Sequence, residues 1–285
     1  MSEQKLLEKN PMGGIAVPIA IVLVGALVIF GVTKMLSTDR SYKDLVYELE
    51  SKTFGNRWVA AFELSKVLSN EHNLDEDEKI SPQDRAWLVG KLETIYFSAS
   101  DPRTKEFIVV ALGSLGEKSS LGVHLDALNS DSKERQFHAL VAISRSKIDE
   151  SFDWQEVYKL LDSDDKGLVQ SAIFTIATQK APGASARLAR FLSSENLNLK
   201  YSAAVALLLY KNEKALEVSK EILSLPLENR FYDPNKTRAL KFNVLNALQT
   251  NPWDKLAELI EERALKDSDI KVVSRANQVL KVLKD

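Results

Sequence analysis

Three histidines are the side chains of this sequence that could act as general acids or bases near neutral pH or bind a metal ion. They are His72, His124 and His138, and they are isolated from other residues typical of an active site. Cysteine is absent, which excludes disulfides, thiolate metal sites, iron–sulfur clusters and a cysteine nucleophile. The sequence also lacks a glycine-rich phosphate loop, a GxSxG motif and an HExxH motif. We therefore expect structural histidines, no enzyme activity, no metal and no cofactor.

The charged side chains nearly balance, with 40 acidic and 38 basic residues and a formal net charge of −2. The carboxylates are scattered over predicted helix starts and solvated faces, where capping and solubility account for them. A chain without an excess of basic charge is not typical of a protein that coats nucleic acid. With 45% hydrophobic residues, the composition is that of a globular protein. We therefore expect neither a nucleic acid nor a small-molecule substrate as a ligand.

One segment near the start of the chain is long and apolar enough to cross a bilayer. Residues 15–33 contain no ionisable group, and about 20 apolar residues span the hydrocarbon core as a helix. A cleavable signal peptide, the alternative, has a shorter apolar stretch and a small-residue cleavage site, whereas this segment leads directly into Lys34. The sequence therefore predicts an N-terminal tail at 1–14, a single-pass transmembrane helix at 15–36 and a large domain at 37–285.

The orientation of this predicted anchor depends on its basic flanks. Lys5 and Lys9 precede the apolar segment, and Lys34, Arg40 and Lys43 follow it. Because cytoplasmic flanks carry the excess of lysine and arginine, the balance slightly favours a cytoplasmic large domain. Export of the domain is the alternative, since long domains cross a membrane largely regardless of their charge.

The large domain repeats one pattern. A large apolar residue is followed eleven residues later by a small or β-branched residue and four residues after that by another apolar residue. Six sets follow this spacing, and the set beginning at Leu223 fits if ten residues are inserted. The seven sets are Leu49, Ala60, Leu64; Phe97, Ile108, Leu112; Leu128, Ala139, Ile143; Leu161, Ala172, Ile176; Leu192, Ala203, Leu207; Leu223, Val244, Leu248; and Leu265, Ala276, Leu280.

This spacing predicts two helices in each unit. The first helix ends at the leading apolar residue, a polar turn follows, and the second helix carries the small residue where two helices cross closely. Turns such as Asn129–Ser132 and Asp162–Asp165 supply side chains that cap the second helix. No single hairpin can bury both of its faces, so we expect the units to stack on one another.

Two segments interrupt the array and predict loops. Residues 70–81 are acidic and polar, which is typical of a solvated connection, although such loops can also form binding edges. Residues 225–235 contain two prolines together with Phe231 and Tyr232. These two rings could equally cover the local core or contact a partner.

The turn and second helix of several units resemble HEAT repeats. The segments are LNSDSKERQFHALVAI, LDSDDKGLVQSAIFTI and LKDSDIKVVSRANQVL, and Arg135 lies four residues before Ala139. The units run about 31 to 33 residues, shorter than is usual for that family, so an armadillo-like arrangement is an alternative. The resemblance covers about residues 41–285. It implies an all-α, right-handed α-solenoid that binds proteins on a concave surface, which second helices usually line.

Some proteins of this architecture are enzymes. The di-iron hydroxylases carry His-Glu pairs, and this sequence has none, since Glu71-His72 has the reverse order. The HEAT-like lyases that attach bilins have no short motif to compare with this sequence. A lyase-type enzyme is therefore the third alternative.

The predicted second helices carry more basic than acidic side chains. If these helices line the concave face, that face is positive although the whole chain is not. We expect Lys200, Arg238, Lys241 and Arg275 to hold an acidic segment of a partner or an anionic lipid surface. The basic residues of the second helices are Arg57, Arg103, Lys105, Arg135, Lys200, Lys236, Arg238, Lys241, Lys271, Arg275 and Lys281.

These observations predict a membrane-anchored helical-repeat scaffold that binds a protein partner through its concave second-helix surface. The alternative is an accessory structural subunit of a larger membrane complex, with the transmembrane helix packed against others. Replacing residues 15–33 by an unrelated membrane helix distinguishes them, because a simple tether tolerates the exchange and a packed subunit does not.

Overall fold

The computed structural model describes residues 40–51, 57–74 and 79–284. Within these ranges the chain forms 14 α-helices and no strand, which confirms the prediction of an all-α fold. The predicted tail and transmembrane helix, residues 1–36, lie outside the described residues. In the ranges that are described, none of the helices combines the length and the apolarity that crossing a bilayer requires.

The helices of the described residues form seven hairpins in chain order, one for each predicted unit. Short 3₁₀ turns extend α7 and α9 at their C-termini, and a π-helical turn, Ile260–Ala264, extends α13. The first helices are α1 (Tyr42–Glu50), α3 (Pro82–Ser98), α5 (Leu121–Leu128), α7 (Gln155–Lys159), α9 (Ala184–Ala189), α11 (Leu216–Leu223) and α13 (Ala257–Leu259). The second helices are α2 (Arg57–Asn70), α4 (Pro102–Leu115), α6 (Lys133–Arg145), α8 (Lys166–Thr178), α10 (Leu197–Leu209), α12 (Pro234–Thr250) and α14 (Ile270–Lys284).

The polar turns begin the second helices as the sequence predicts. In each turn one short polar side chain accepts hydrogen bonds from backbone N–H groups that have no partner inside the helix. Proline occupies the first turn of α4 and of α12, where its missing N–H costs nothing. The capping residues are Asp101, Ser132, Asp165, Asn196, Asp233 and Asp269.

The core follows the repeated pattern at its second and third positions and varies at the leading position. The second and third residues of every set are buried, in all seven units. The leading residue is buried in four units and partly buried at Leu192 and Leu265, whereas Phe97 is 59% exposed and Tyr96 is buried in its place. A helix turns about 100° per residue, so a shift by one position exchanges the two side chains. The buried hydroxyl of Tyr96 donates to Asp126 at 2.7 Å.

The second helices form one continuous layer. Each packs against the second helix of the preceding unit, from α2 to α14, whereas neighbouring first helices contact each other more sparsely. The second helices are therefore the more closely packed of the two layers. We call this layer the inner layer.

Hydrogen bonds from side chains at the helix ends tie consecutive units of the inner layer. Gln179, after α8, donates to the carbonyls of Ile143 and Ser144 at 2.8 and 3.0 Å. Tyr210, after α10, donates to the carbonyl of Ile176 at 2.8 Å. Asn251, after α12, donates to the carbonyl of Leu209 of α10 at 2.9 Å. These bonds satisfy carbonyl groups that a helix C-terminus leaves without an internal partner.

The first insertion is less solvated than its composition predicts. Glu71 is buried, accepts from the backbone N–H of Ile80 at 2.9 Å and pairs with Arg85 at 2.6 Å. A buried carboxylate requires such partners, and these join the start of the insertion to α3. The prediction of a wholly solvated connection was therefore wrong at this residue.

The second insertion ends at Asp233, because α12 already begins at Pro234. Tyr232 is partly buried against the core, with its ring centroid 6.3 Å from that of Tyr201. Phe231 is exposed. Of the two open roles for these rings, Tyr232 covers the core and Phe231 does not.

Candidate partner-binding surface

Two of the four cations predicted to bind a partner are used inside the fold. Lys241 is only 2% exposed, and its ammonium group pairs with the buried carboxylate of Asp267. Arg238 pairs with Asp269 in the same turn. Burial alone would raise the pKa of Asp269, but hydrogen bonds from Arg238 and from the backbone N–H of Lys271 outweigh it and lower the pKa. These pairs join α12 to the turn before α14, so assigning Lys241 to a partner contact was wrong.

The other two cations lie on the inner layer with partners of their own. Lys200 of α10 pairs with Glu221 of α11 at 2.6 Å and is partly buried. Arg275 of α14 donates to the side-chain oxygen of Asn246 at 2.8 and 2.6 Å and to that of Gln278 at 2.9 Å. Arg238 and Lys241 therefore lie beside the same turn, and Lys200 and Arg275 each have contacts elsewhere. It does not gather the four into one site.

An apolar line crosses the inner layer at one repeat position. The residue two positions after the buried small residue of each unit lies about 200° around its helix, on the side facing away from the first helices. These side chains are exposed or partly buried, and Phe174 is 60% exposed. The first five units place apolar side chains here, and the last two place amides. We call the apolar members the inner stripe: Phe62, Val110, Val141, Phe174 and Val205.

Further aromatic rings adjoin the first part of the inner stripe. The ring centroids of Phe62 and Phe107 lie 5.0 Å apart, and the ammonium group of Lys66 lies 4.2 Å from the centroid of Phe62. The guanidinium group of Arg103 lies 4.6 Å from the ring centroid of Trp58. Phe137 of α6 is exposed. Cation–π contacts of this kind keep positive charge beside apolar surface.

A row of basic side chains lies at the C-terminal end of the inner layer. The residue eight positions after the buried small residue is Lys147, Lys180 and Lys211 in the third, fourth and fifth units, and Arg145 lies beside the first of these. All four are exposed. Among the residues that the structure describes, none of the four forms an ion pair. We call these four residues the basic edge.

Two lysines of the basic edge adopt an unusual backbone conformation. Lys180 has a φ of 51° and Lys211 a φ of 50°, in the left-handed region that favours glycine. Gly116, with a φ of 65°, occupies the same repeat position after α4. Lys180 and Lys211 therefore follow their helices with lysine where glycine is the usual residue.

A cleft of about 750 Å³ opens at the same end of the inner layer, beside the first three units. Ser69 of α2 and Ser114 of α4 lie in its wall, with 2.8 Å between their hydroxyl oxygens. Arg145 belongs to both the cleft and the basic edge. The opposite charge of Glu71, which also lines the cleft, is compensated by Arg85.

The described histidine side chains do not form a common site. His124 of α5 is completely buried, and burial lowers its pKa to about 4. Its Nε2 lies 3.2 Å from the hydroxyl of Ser120, while Nδ1 has no hydrogen-bond partner. His138 of α6 lies 3.4 Å from Glu106. Over the described ranges, no group of three or more His, Asp or Glu side chains could hold a metal ion.

The inner stripe and the basic edge were not predicted, although their signal is in the sequence. Both follow from counting two and eight residues onward from the small residue of each unit. The prediction instead grouped all cations on the second helices, without regard to their position around the helix. That choice mixed solvated lysines with Lys241, whose acidic partner lies 26 residues farther along the chain.

The chain was compared with known proteins. No protein-family model matches it, and no curated protein matches it. A designed armadillo repeat protein in complex with the peptide (KR)4 is 15% identical, with 86% of this chain and 100% of that chain covered and a TM-score of 0.46. The Escherichia coli protein YibA is 14% identical, with 88% and 96% covered and a TM-score of 0.49. An engineered protein is 17% identical, with 86% and 97% covered and a TM-score of 0.42.

Proposed function

We propose that this chain is a helical-repeat scaffold that binds a protein partner along its inner layer. The observation that carries the proposal is the inner stripe, where apolar side chains at one repeat position face away from the first helices in five successive units. Apolar patches that are exposed to solvent and rimmed by polar residues are typical of protein interaction sites. Stacked repeats supply the long, continuous surface that such binding uses.

The proposal includes attachment to a membrane by the apolar segment 15–33, with the repeat domain on the cytoplasmic side. Support for this part comes from the sequence, in which nineteen consecutive residues lack an ionisable group. A tethered scaffold acts by raising the effective concentration of its partner at the membrane. No catalytic step is part of the proposed function.

A photo-crosslinking experiment in cells tests the partner-binding part. The full chain carries a photoreactive phenylalanine analogue either at Phe174 on the inner layer or at Phe97 at the end of α3. These positions are matched, since the two rings are 60% and 59% exposed. We expect one identified protein to be joined at position 174 and not at 97. Adducts of the same kind and yield from both positions would contradict the proposal.

The accessory-subunit alternative makes a different prediction about the anchor. When an unrelated membrane helix replaces residues 15–33, a scaffold keeps its crosslinked partner at position 174. An accessory subunit loses its complex, because helix packing within the membrane depends on the side chains that face the neighbouring helix. If the native chain itself does not associate with membranes, residues 15–33 are not an anchor, and this part of both hypotheses is wrong.

A further inference from the structure

We propose that the partner segment bound by the inner layer is an extended stretch of acidic and apolar residues, with its apolar side chains on the inner stripe and its carboxylates at the basic edge. This inference rests on the proposed function and adds the chemistry of the partner and its place. It moves the contact from the predicted cations of the last three units to the first five units.

The spacing of the inner stripe matches an extended chain. Packed helices lie about 8 to 10 Å apart, so each unit displaces the stripe by that distance. A polyproline-II-like chain rises about 3.1 Å per residue and returns every third side chain to the same side. Three residues of such a chain therefore advance about 9 Å, which is one unit of the inner layer. A segment of about 12 residues would place four apolar side chains on four neighbouring units.

The position of the basic edge gives this segment a charge and an orientation. The basic edge lies six residues beyond the inner stripe in each of these units, at or just past the C-terminal end of the second helix, and six helical residues span about 9 Å. A lysine side chain can cover most of that distance. Carboxylates on the flank of a bound segment would thus reach Lys147, Lys180 and Lys211, which form no ion pair with the described residues. Opposite charge across an interface sets the direction of docking and rejects wrong partners.

The last two units differ in both respects. At the stripe position they carry Asn246 and Gln278, which offer no apolar surface. At the basic-edge position they carry Pro252 and Lys284, and Lys284 pairs with Glu261 at 3.2 Å. The chemistry that fits an acidic and apolar segment is therefore confined to the part of the inner layer before α12.

The test measures binding of a labelled peptide by the full chain, using fluorescence anisotropy. The probe is a peptide of about 12 residues that repeats Asp-Phe-Glu, and the comparison peptides repeat Lys-Phe-Lys or Asp-Ser-Glu. We expect the first peptide to bind at least about tenfold more tightly than either comparison, because only this peptide matches both the apolar and the charged positions.

Variants of the full chain locate the binding. Phe174→Ser should weaken the Asp-Phe-Glu peptide about tenfold, and Phe97→Ser, a matched exposed ring on the other layer, should not. The double variant Lys180→Gln/Lys211→Gln should weaken binding and reduce its dependence on salt. Thermal melting of each variant separates lost binding from lost folding.

Several outcomes would overturn the inference. These are equal or tighter binding of the Lys-Phe-Lys peptide, no binding of the Asp-Phe-Glu peptide, or equal effects of Phe174→Ser and Phe97→Ser. Binding of phosphatidylserine vesicles that depends on Lys180 and Lys211, without peptide binding, would assign the basic edge to a lipid surface. If crosslinking at position 174 still captures one partner while the peptide fails, the scaffold function stands and the partner chemistry is wrong.

Discussion

His124 illustrates how a residue that could do chemistry is used for packing. It is completely buried on α5, and its Nδ1 has no hydrogen-bond partner. Burial disfavours the charged imidazolium and lowers the pKa to about 4, from about 6.5 in an unfolded chain. A catalytic general base near neutral pH needs an accessible ring with a matched pKa, and this side chain has neither.

The pKa of His124 predicts a pH dependence of stability. Between pH 6.5 and 4 the unfolded chain binds a proton at this residue that the folded chain excludes, so acidification costs stability. Above the pKa of the unfolded state no stability is lost. Below the pKa of the folded state the loss reaches about 3 kcal/mol in the free energy of unfolding. We expect His124→Leu to remove this part of the slope in urea unfolding curves. Identical slopes for the variant and the wild type would show that His124 is not buried as described.

Lys241 and Asp267 form an ion pair inside the fold, whereas the sequence predicts that Lys241 contacts a partner. We expect Lys241→Met to cost about 3 to 5 kcal/mol in the free energy of unfolding, because it leaves the buried carboxylate of Asp267 without a cation. The double variant Lys241→Met/Asp267→Leu should recover most of that loss.

Lys200→Met serves as the control, since Lys200 and Glu221 are partly exposed and such pairs are worth at most about 1 kcal/mol. Urea titration of the three variants measures these differences. A Lys241→Met variant as stable as Lys200→Met would contradict the burial of the pair.

At the scale of the helices, α4 and α6 approach each other closely at Gly113. A Cβ atom at this position would lie 2.6 Å from the Cβ of Ala142, so the two helices meet without room for a side chain. We expect Gly113→Ala to destabilise the chain by about 1 to 3 kcal/mol through displacement of the helices.

Gly90 of α3 is the matched control for this substitution. It also lies within a helix, but a Cβ there would meet no atom within 4 Å. Gly90→Ala should therefore stabilise the chain by about 0.5 to 1 kcal/mol, because alanine is the better helix former. Thermal unfolding of the two variants gives opposite signs if the packing is as described and the same sign if it is not.

The limits of sequence-based prediction are clear at particular elements. The second helices and their caps could be predicted, because Asp165 and Asn196 cap helices through neighbours two and three residues away. The bonds of Gln179 and Asn251 could not, since their acceptors lie more than thirty residues earlier in the chain. Phe97 was predicted to be buried in place of Tyr96, because both side chains are aromatic and either ring could fill that position.

The candidate site was less predictable than the fold. The sequence indicates which helices face inward, but the partner of a cation is set by contacts between units. Lys241 is buried beside Asp267, whereas Lys180 is exposed. Position in the repeat separates the two, because Lys241 lies three residues before the second residue of its set and Lys180 lies eight residues after it.

At the scale of the whole molecule, the inner stripe requires second helices that stack without interruption. Each unit of such an array contacts only its neighbours, so a break would divide the inner stripe into separate surfaces. The critical step is from α2 to α4, because the insertion at 71–81 separates the first two units. The hydroxyl oxygens of Ser69 and Ser114, one on each of these helices, lie 2.8 Å apart.

A designed disulfide tests this step most directly. The natural chain has no cysteine, so Ser69→Cys/Ser114→Cys introduces the only two thiols. The hydroxyl oxygens that the sulfur atoms replace lie 2.8 Å apart, and a disulfide joins sulfur atoms about 2.0 Å apart. We expect mild oxidation to join them within one chain, and mass spectrometry to show the linked peptides and no free thiol. The control Ser69→Cys/Ser202→Cys, on α2 and α10, should stay reduced. Two free thiols in the first variant, or equal linkage in the control, would contradict a continuous inner layer.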